Sequence, residues 1–234
     1  GYLREMADRG ARAALMEVSS HALTQSRVRG LRFQVGAFTN LTQDHLDYHA
    51  SFDDYFRAKA RLFNRVLPDD GVAVLNVDDP RGRELEEIAQ ERGQEVISIG
   101  RTEDCTLQLT SQRYHMTGQQ IRFLYNGRPQ TVQLDLIGGF QAENVLVAAG
   151  LAIASGSDPD EVFATFPALT TVRGRMQLAA KRDNGAAIFV DYAHTPDALA
   201  TALEALRPHV MGKLVVVFGA GGDRDTTKRK LMGK

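Results

Sequence analysis

Apolar residues come in short runs that alternate with amphipathic stretches in the first part of the chain. The runs cover residues 13–18, 33–38 and 71–76, and helix-like periodicity covers 51–66 and 80–92. Buried parallel strands read as continuous apolar runs, whereas the helices between them repeat their apolar positions every three to four residues. The pattern therefore predicts an α/β domain with a mostly parallel sheet.

The pattern changes between residues 104 and 137, where short segments alternate apolar and polar positions. The segment Tyr125-Asn126-Gly127-Arg128 has the composition of a tight turn, and it separates two candidate strands, Gln120–Leu124 and Thr131–Leu136. We expect an antiparallel hairpin region on the same domain.

Two helices are expected to end this domain before a second one begins. Gly138 and Gly139 precede an Ala- and Leu-rich helix, Phe140–Ser155, and Asp158-Pro159 opens the next one. After Arg173 the strand pattern resumes, with these elements: Met176–Ala180, Ala186–Val190, a helix from Pro196 to about Leu206, and a strand at 213–218. We place a domain boundary there, with a first domain at 1–173 and the start of a second, Rossmann-like α/β domain at 174–234.

Composition narrows the class of function. The 234 residues are 43% hydrophobic, and 28 Lys and Arg nearly balance 29 Asp and Glu, so no global charge recruits nucleic acid or an anionic membrane. Cys105 is the only cysteine, which excludes an intramolecular disulfide and fits a reducing cytoplasm. No run approaches eighteen apolar residues and no export signal opens the chain. We expect a cytoplasmic protein, and because both ends fall at candidate secondary structure, a piece of a longer one.

The densest chemistry follows the apolar run at 33–38, where residues 38–49 collect Asp and His side chains. Ligands and metals bind at the carboxyl ends of strands in open α/β sheets. His45 and His49 have the spacing of a zinc protease, but Leu46 stands where the general base would be, which excludes that reading. His49 could instead give one ligand to Mg²⁺, or be structural.

Lys59 follows in the helix-like stretch, beside apolar residues. It could extend its amine to solvent. If buried, its amine would lose its charge more easily and could react with CO₂ to form a carbamate, an anion able to bind Mg²⁺. The spacing does not choose between these alternatives.

Polar residues also follow the apolar run at 13–18. Glu17 could hold a hard cation and Ser19 could donate to an oxyanion, or the pair could be a helix cap beside an incidental carboxylate. Gln25 and Arg27 come next, and Arg27 suits a carboxylate or phosphate, although a solvated surface arginine is the commoner case.

A glycine-rich segment follows the apolar run at 213–218. The segment is Gly219-Ala220-Gly221-Gly222-Asp223-Arg224. Arg224 stands where a dinucleotide-binding loop requires glycine, which excludes such a loop here. The turn could present Arg224 to an anionic ligand, or be purely structural.

Taken in order, six motifs resemble the Mur ligases, and most nearly their MurE type, over nearly the whole chain. The motifs are E-V-S-S-H-A-L, F-T-N-L-T-Q-D-H-L-D-Y-H, Y-F-R-A-K-A-R-L-F, G-R-M, D-Y-A-H-T-P-D-A-L and G-A-G-G-D-R-D. The resemblance implies an ATP-binding central domain and an ATP-dependent amide ligase of peptidoglycan precursor synthesis. Such an enzyme adds meso-diaminopimelate or L-lysine to UDP-MurNAc-L-Ala-D-Glu through an acyl phosphate, and we expect it to be a monomer.

The resemblance also implies roles for individual residues. Glu17 and His49 would hold Mg²⁺, and Lys59 would be the carbamylated lysine. The remaining residues would bind the three substrates. Ser19, Gln25 and Arg27 would contact the UDP-muramoyl dipeptide, and Arg224 would bind the incoming amino acid. Asn144, Arg175 and Asp191 would contact ATP, with His194 close by at the domain junction.

The chain departs from the family at several places. The phosphate loop ending in Gly-Lys-Thr or Gly-Lys-Ser does not occur in these residues, so alone they would not catalyse. Gln141 stands where the family has Asn, and Lys230 where it has Pro. Two alternatives stay open: another amide ligase of the same fold, such as a folylpolyglutamate or cyanophycin synthetase relative, and a non-catalytic module that binds the precursor.

Overall fold

A computed structural model describes residues 2–41, 49–219 and 227–233. Its central feature is a six-stranded sheet with the strands in sequence order, β1 to β6. The strands are β1 Val35–Phe38, β2 Val72–Asn76, β3 Glu95–Gly100, β4 Leu107–His115, β5 Gly118–Tyr125 and β6 Arg128–Leu134. Neighbours from β1 to β4 are parallel, and β4 to β6 are antiparallel. The mostly parallel α/β sheet and the antiparallel hairpin are both confirmed.

Helices cover the sheet and connect its strands. Those of the first 173 residues are α1 Tyr2–Asp8, α2 Ser20–Thr24, α3 Phe52–Arg61, α4 Pro80–Glu91, α5 Phe140–Ala154 and α6 Pro159–Ala164, with a π-helical turn at Leu62–Val66 and a 3₁₀ turn at Phe166–Ala168. Two hydrophobic clusters form the core. One packs α5 and α6 on the sheet around Ile99, Phe123 and Leu146, and the other packs α3 and α4 around Phe63 and Leu75.

The tight turn between β5 and β6 follows from local chemistry. Asn126 and Gly127 both have positive φ, 47° and 78°. Two consecutive left-handed residues join strands with the right-handed twist of a hairpin, and Asn-Gly is the pair that adopts this conformation most readily. The register then places Tyr125 opposite Arg128.

The rest of the described chain is smaller. It contains the antiparallel pair β7 Gln177–Lys181 and β8 Ala187–Val190, followed by α7 Pro196–Leu206, a 3₁₀ turn at Arg207–His209, and α8 Thr227–Met232. Pro196 occupies the first turn of α7, and Thr195 caps it by accepting from the Ala198 N–H at 3.3 Å.

Two predicted strands are wrong. Residues 13–18 and 213–218 pair with no strand among the described residues, and most of their apolar residues are exposed, as with Leu15 at 93% and Val217 at 95% exposure. A strand forms only when a neighbour takes its backbone hydrogen bonds, so an apolar run alone does not produce one. β3 was missed, because Ser98 interrupts its short apolar run.

Candidate functional site

The first group of polar side chains lies where α2 meets the start of α3. We call it the α2–α3 cluster, and it consists of Ser20, His21, His49, Asp54, Tyr55 and Lys59. A serine in the local sequence sets the N-terminus of each of these two helices. The Ser19 hydroxyl caps α2 by accepting from the Ala22 N–H at 3.2 Å, and the Ser51 hydroxyl caps α3 by accepting from the Asp54 N–H at 3.0 Å.

His49 is the centre of this cluster, and it is buried. Its Nε2 lies 2.9 Å from the Ser20 hydroxyl, and its Nδ1 lies 3.5 Å from a carboxylate oxygen of Asp54. When Nδ1 carries the proton toward Asp54, Nε2 accepts from Ser20. The two partners therefore fix both the plane of the ring and its tautomer.

Tyr55 links His49 to Lys59. Its ring centroid lies 5.1 Å from that of His49, and the Lys59 ammonium lies 5.1 Å from the same Tyr55 centroid. A cation at this distance from a tyrosine face is attracted to the ring. Lys59 is half-buried, so it is not simply extended into solvent. The structure thus brings together two of the predicted residues, His49 and Lys59.

The other predicted residues of this half are exposed. Glu17 lies in the irregular stretch before α2, and Gln25 ends that helix with its N–H donating to the His21 carbonyl at 2.9 Å. Arg27 follows, also exposed. Ser19 caps α2, as the structural alternative predicted, and its own O–H is still able to donate to a ligand oxyanion.

The second group joins the residue stretch before β7 to the segment between β8 and α7. We call it the β8 patch, and it consists of Arg175, Asp191, Tyr192 and His194. One carboxylate oxygen of Asp191 accepts from the Met176 N–H and the other from the Ala193 N–H, both at 2.8 Å. The first of these bonds holds Met176, whose φ of 47° is unusual for a residue with a side chain.

Aromatic contacts complete the β8 patch. The Arg175 guanidinium lies 5.3 Å from the Tyr192 ring centroid, and the His194 Nδ1 donates to the Tyr192 carbonyl at 2.9 Å. Three predicted residues, Arg175, Asp191 and His194, are therefore neighbours. All three are exposed, as a ligand-binding surface requires.

Asn144 stands apart from the β8 patch. It lies on α5, where its amide donates to the Gln141 side-chain carbonyl at 3.4 Å, and no hydrogen bond joins it to the patch among the described residues. Arg224 lies outside the described residues, as do residues 42–48 of the Asp- and His-rich segment.

The described residues contain no group of three or more His, Cys, Asp or Glu side chains placed to hold a metal. Mg²⁺ needs few protein ligands when phosphate and water supply the others, so the predicted pair Glu17 and His49 fits such an ion in number. A cation at Nε2 of His49 would have to replace the Ser20 hydroxyl.

The sequence gives little indication of several residues that these contacts involve. The sequence does not distinguish Ser20 from its neighbour Ser19, and Asp54 has the position of an ordinary acidic residue in the first turn of a helix. Gln119 and His209 gave no indication at all, because their partners are distant in the chain: Gly138 and Leu136 for Gln119, Gly138 and His115 for His209.

The sequence of both parts of the described fold shows that the chain belongs to the Mur ligase family. Family profiles described as "Mur ligase middle domain" and "Mur ligase, glutamate ligase domain" match residues 2–152 and 174–234. No described helix has both the length and the apolar character needed to cross a membrane.

Individual relatives carry a more specific name. The chain is 46% identical over 98% of its length to the UDP-N-acetylmuramoyl-L-alanyl-D-glutamate–2,6-diaminopimelate ligase of Bradyrhizobium diazoefficiens, and 46% identical over 94% of its length to that of Zymomonas mobilis. It covers 48% and 45% of those two proteins, so it spans about half the length of the curated relatives it matches.

Solved structures agree on the fold. A structure of a UDP-N-acetylmuramoyl-L-alanyl-D-glutamate–2,6-diaminopimelate ligase superposes with a TM-score of 0.79 at 34% identity, over 99% of this chain and 47% of that one. The folylpolyglutamate synthase of Mycobacterium tuberculosis, solved with ADP, superposes with a TM-score of 0.58 at 25% identity, over 74% of this chain and 38% of that one.

Proposed function

We propose that this chain is part of an ATP-dependent ligase that joins meso-diaminopimelate to UDP-MurNAc-L-Ala-D-Glu in the cytoplasm. The observation that carries the proposal is the 46% identity, over almost the whole chain, to relatives that bear this name. The names of those relatives also favour diaminopimelate over lysine as the amino acid.

The reaction has two steps. A carboxylate oxygen of the D-glutamyl residue attacks the γ-phosphorus of ATP, and ADP leaves with the electrons of the broken P–O bond. The amine of the amino acid then attacks the acyl carbon, phosphate leaves, and an amide and a proton remain. The protein's contribution to such a transfer is positioning and the neutralisation of charge.

We assign the α2–α3 cluster to the reacting end of the precursor. Glu17 and His49 would hold Mg²⁺, which neutralises phosphate charge when bound. Lys59 would carry a carbamate, formed when its neutral amine bonds to the carbon of CO₂ and loses a proton. The burial of His49 and the half-burial of Lys59 support this assignment, because interactions between charges are stronger away from bulk water.

We assign the exposed residues around α2 and the β8 patch to ligand binding. Ser19, Gln25 and Arg27 would contact the dipeptide of the precursor, and Arg27 suits its carboxylates. Asn144, Arg175 and Asp191 would contact ATP, with His194 beside them. Both carboxylate oxygens of Asp191 accept hydrogen bonds from backbone N–H groups, which supports a role for Asp191 in shaping this surface. Arg224 would bind the amino acid.

The proposal is tested with the protein encoded by the complete gene. Purified protein should release ADP and phosphate only when UDP-MurNAc-L-Ala-D-Glu and the amino acid are both present, and mass spectrometry should find the tripeptide product. Diaminopimelate should be preferred to lysine. Turnover of a folate or of a polyaspartate substrate instead would establish the rival ligase classes, and binding of the precursor without turnover would establish a non-catalytic module.

A further inference from the structure

The peptide groups of Gly138 are held from two sides. Its N–H donates to Nε2 of His209 at 3.1 Å, and its carbonyl accepts from the side-chain amide of Gln119 at 2.8 Å. Gln119 belongs to β5 of the sheet, whereas His209 ends the 3₁₀ turn after α7. The same residue therefore joins the first part of the chain to the second.

His209 is fixed in one tautomer by these contacts. It is buried, and its Nδ1 donates to the His115 carbonyl at 2.7 Å. Since the Gly138 N–H can only donate, Nε2 accepts and the ring proton lies on Nδ1. The Tyr114 ring packs against its edge with centroids 5.0 Å apart. Rotation of the imidazole would break both hydrogen bonds, one buried and one partly buried, which is costly.

The remaining polar groups of this turn are also anchored by side chains. Gln119 is completely buried, and its amide donates to the carbonyls of Leu136 and Gly138. The Gln112 side-chain amide donates to the Gly139 backbone carbonyl at 2.8 Å and to the side-chain Oε1 of Gln119 at 2.9 Å. A network in which every partner is satisfied is rigid, so the position of the turn depends on each contact.

Gly138 itself permits this close approach. Its φ is 101°, and a Cβ atom there would lie 2.8 Å from the Phe140 ring and 3.3 Å from the methyl group of Ala205 on α7. A side chain would therefore separate the turn from α7. Only glycine allows the two to touch.

Helix α5 begins directly after this turn, at Phe140, and carries Asn144. Its first turn is tied to Gly138 and Gly139 through the N–H groups of Gln141 and Ala142, at 3.1 and 3.2 Å. A shift of the Gly138 peptide is thus passed to the start of α5. We propose that His209 is a positioning residue for the nucleotide: through Gly138 it sets the placement of Asn144. This inference rests on the proposed contact of Asn144 with ATP.

Two amide substitutions separate the hydrogen bonds of His209. In His209→Gln, Oε1 can take the place of Nε2 and accept from Gly138. In His209→Asn, Nδ2 can take the place of Nδ1 and donate to the His115 carbonyl. The shorter side chain leaves no acceptor at the position of Nε2 for the Gly138 N–H. The dissociation constant for ATP is measured by isothermal titration on the protein from the complete gene, with the melting temperature of each variant.

We expect His209→Asn to raise the Kd for ATP about five- to tenfold, and His209→Gln to leave it within about twofold of the wild type. The Kd for the UDP-muramoyl dipeptide should change in neither. The positioning role is overturned if both variants bind ATP as tightly as the wild type. It is also overturned if both variants lose ATP affinity equally and the loss follows the fall in their melting temperatures. A wild type that binds no ATP refutes the proposed function instead.

Hydrogen exchange on the unmodified protein gives a reading that needs no variant. If nucleotide binding is coupled to the hydrogen bond between the Gly138 N–H and His209, each stabilises the other, because such coupling is reciprocal. The Gly138 amide should therefore exchange several-fold more slowly when ADP is bound. An unchanged rate overturns the proposal even if neither variant folds.

Discussion

The Nε2 atom of His49 lies 2.9 Å from the hydroxyl of Ser20, although 29 residues separate them in the chain. Both residues are buried, at 5% and 1% exposure. The contact ties the first residue of α2 to the segment that leads into α3, and Asp54 holds the opposite side of the ring. The orientation of His49, and hence which nitrogen it offers to a ligand, depends on these two neighbours.

Removing the Ser20 hydroxyl should destabilise the protein. Ser20→Ala removes a hydrogen bond to a buried ring nitrogen of His49, and we expect the free energy of unfolding to fall by about 1–2 kcal/mol. Urea denaturation measures this change. Ser155→Ala is the control, because its hydroxyl donates to the Leu151 carbonyl at an exposed helix end. It should cost less than about 0.5 kcal/mol, and an equal loss in the two variants would contradict the buried contact.

If Lys59 carries the proposed carbamate, it should be required for catalysis through the charge of that group. In the complete enzyme, Lys59→Ala should lower kcat by about 100-fold or more, as the loss of a charged group at a reaction centre does. Added formate or acetate should restore part of the activity by supplying a carboxylate. Arg57→Ala on the same helix removes an exposed cation and should retain activity. Full activity of Lys59→Ala would end the carbamate hypothesis.

Gly82 should not tolerate a methyl group. A Cβ atom there would lie 1.8 Å from the backbone carbonyl oxygen of Asn76, so α4 would have to move away from the end of β2. Alanine favours a helix by about 1 kcal/mol over glycine, but overpacking of this kind costs more. We expect Gly82→Ala to lower the unfolding free energy by about 2 kcal/mol net. Gly212→Ala, with open space around it, should be neutral, and equal midpoints in urea would contradict the clash.

Asp104 should contribute stability that depends on pH. Its hydrogen bonds with Arg83 lower the pKa of the carboxyl from 3.8 to about 2. Because the folded pKa is the lower one, the contribution is present above pH 3.8 and disappears as the pH falls through about 2. Asp104→Asn should therefore unfold at a lower urea concentration than the wild type at pH 6, with a difference that shrinks toward pH 2.

Glu103→Gln is the matched control for that titration, since no ion pair of Glu103 exists within the described ranges. Its urea midpoint should follow that of the wild type at every pH. A difference between Asp104→Asn and the wild type that stays constant down to pH 2 would mean that the ion pair with Arg83 is not its source.

Local chemistry explains which parts of the fold could be predicted. The Asn126-Gly127 turn, the Pro196 start of α7 and the end of α5 before Gly156 depend on residues close in the chain. The apolar runs at 13–18 and 213–218 have the composition of strands, yet whether a run becomes a strand depends on a neighbour elsewhere in the chain. That dependence cannot be seen in the run itself.

The residues of the candidate site likewise fall into those that the sequence could predict and those that it could not. His49 and Lys59 could be predicted as members of one site because each follows a recognisable motif, and the structure brings them together around Tyr55. Ser20 could not be distinguished from Ser19, since only the fold decides which of two adjacent hydroxyls caps the helix and which meets the histidine. The metal and nucleotide roles of these residues stay predictions.

Both partners of the His209 ring are backbone groups, the N–H of Gly138 and the carbonyl of His115. Every residue type offers that carbonyl, so a change at position 115 leaves the bond available, and no substitution at 115 or 138 can make up for a lost ring. In evolutionary terms, the backbone conformation of position 138 holds it to glycine, and the two hydrogen bonds of the ring constrain the residue type at position 209 alone. Among relatives that keep this turn, the histidine should be retained or lost without a covarying partner, and methods that detect contacts from paired substitutions would overlook this junction.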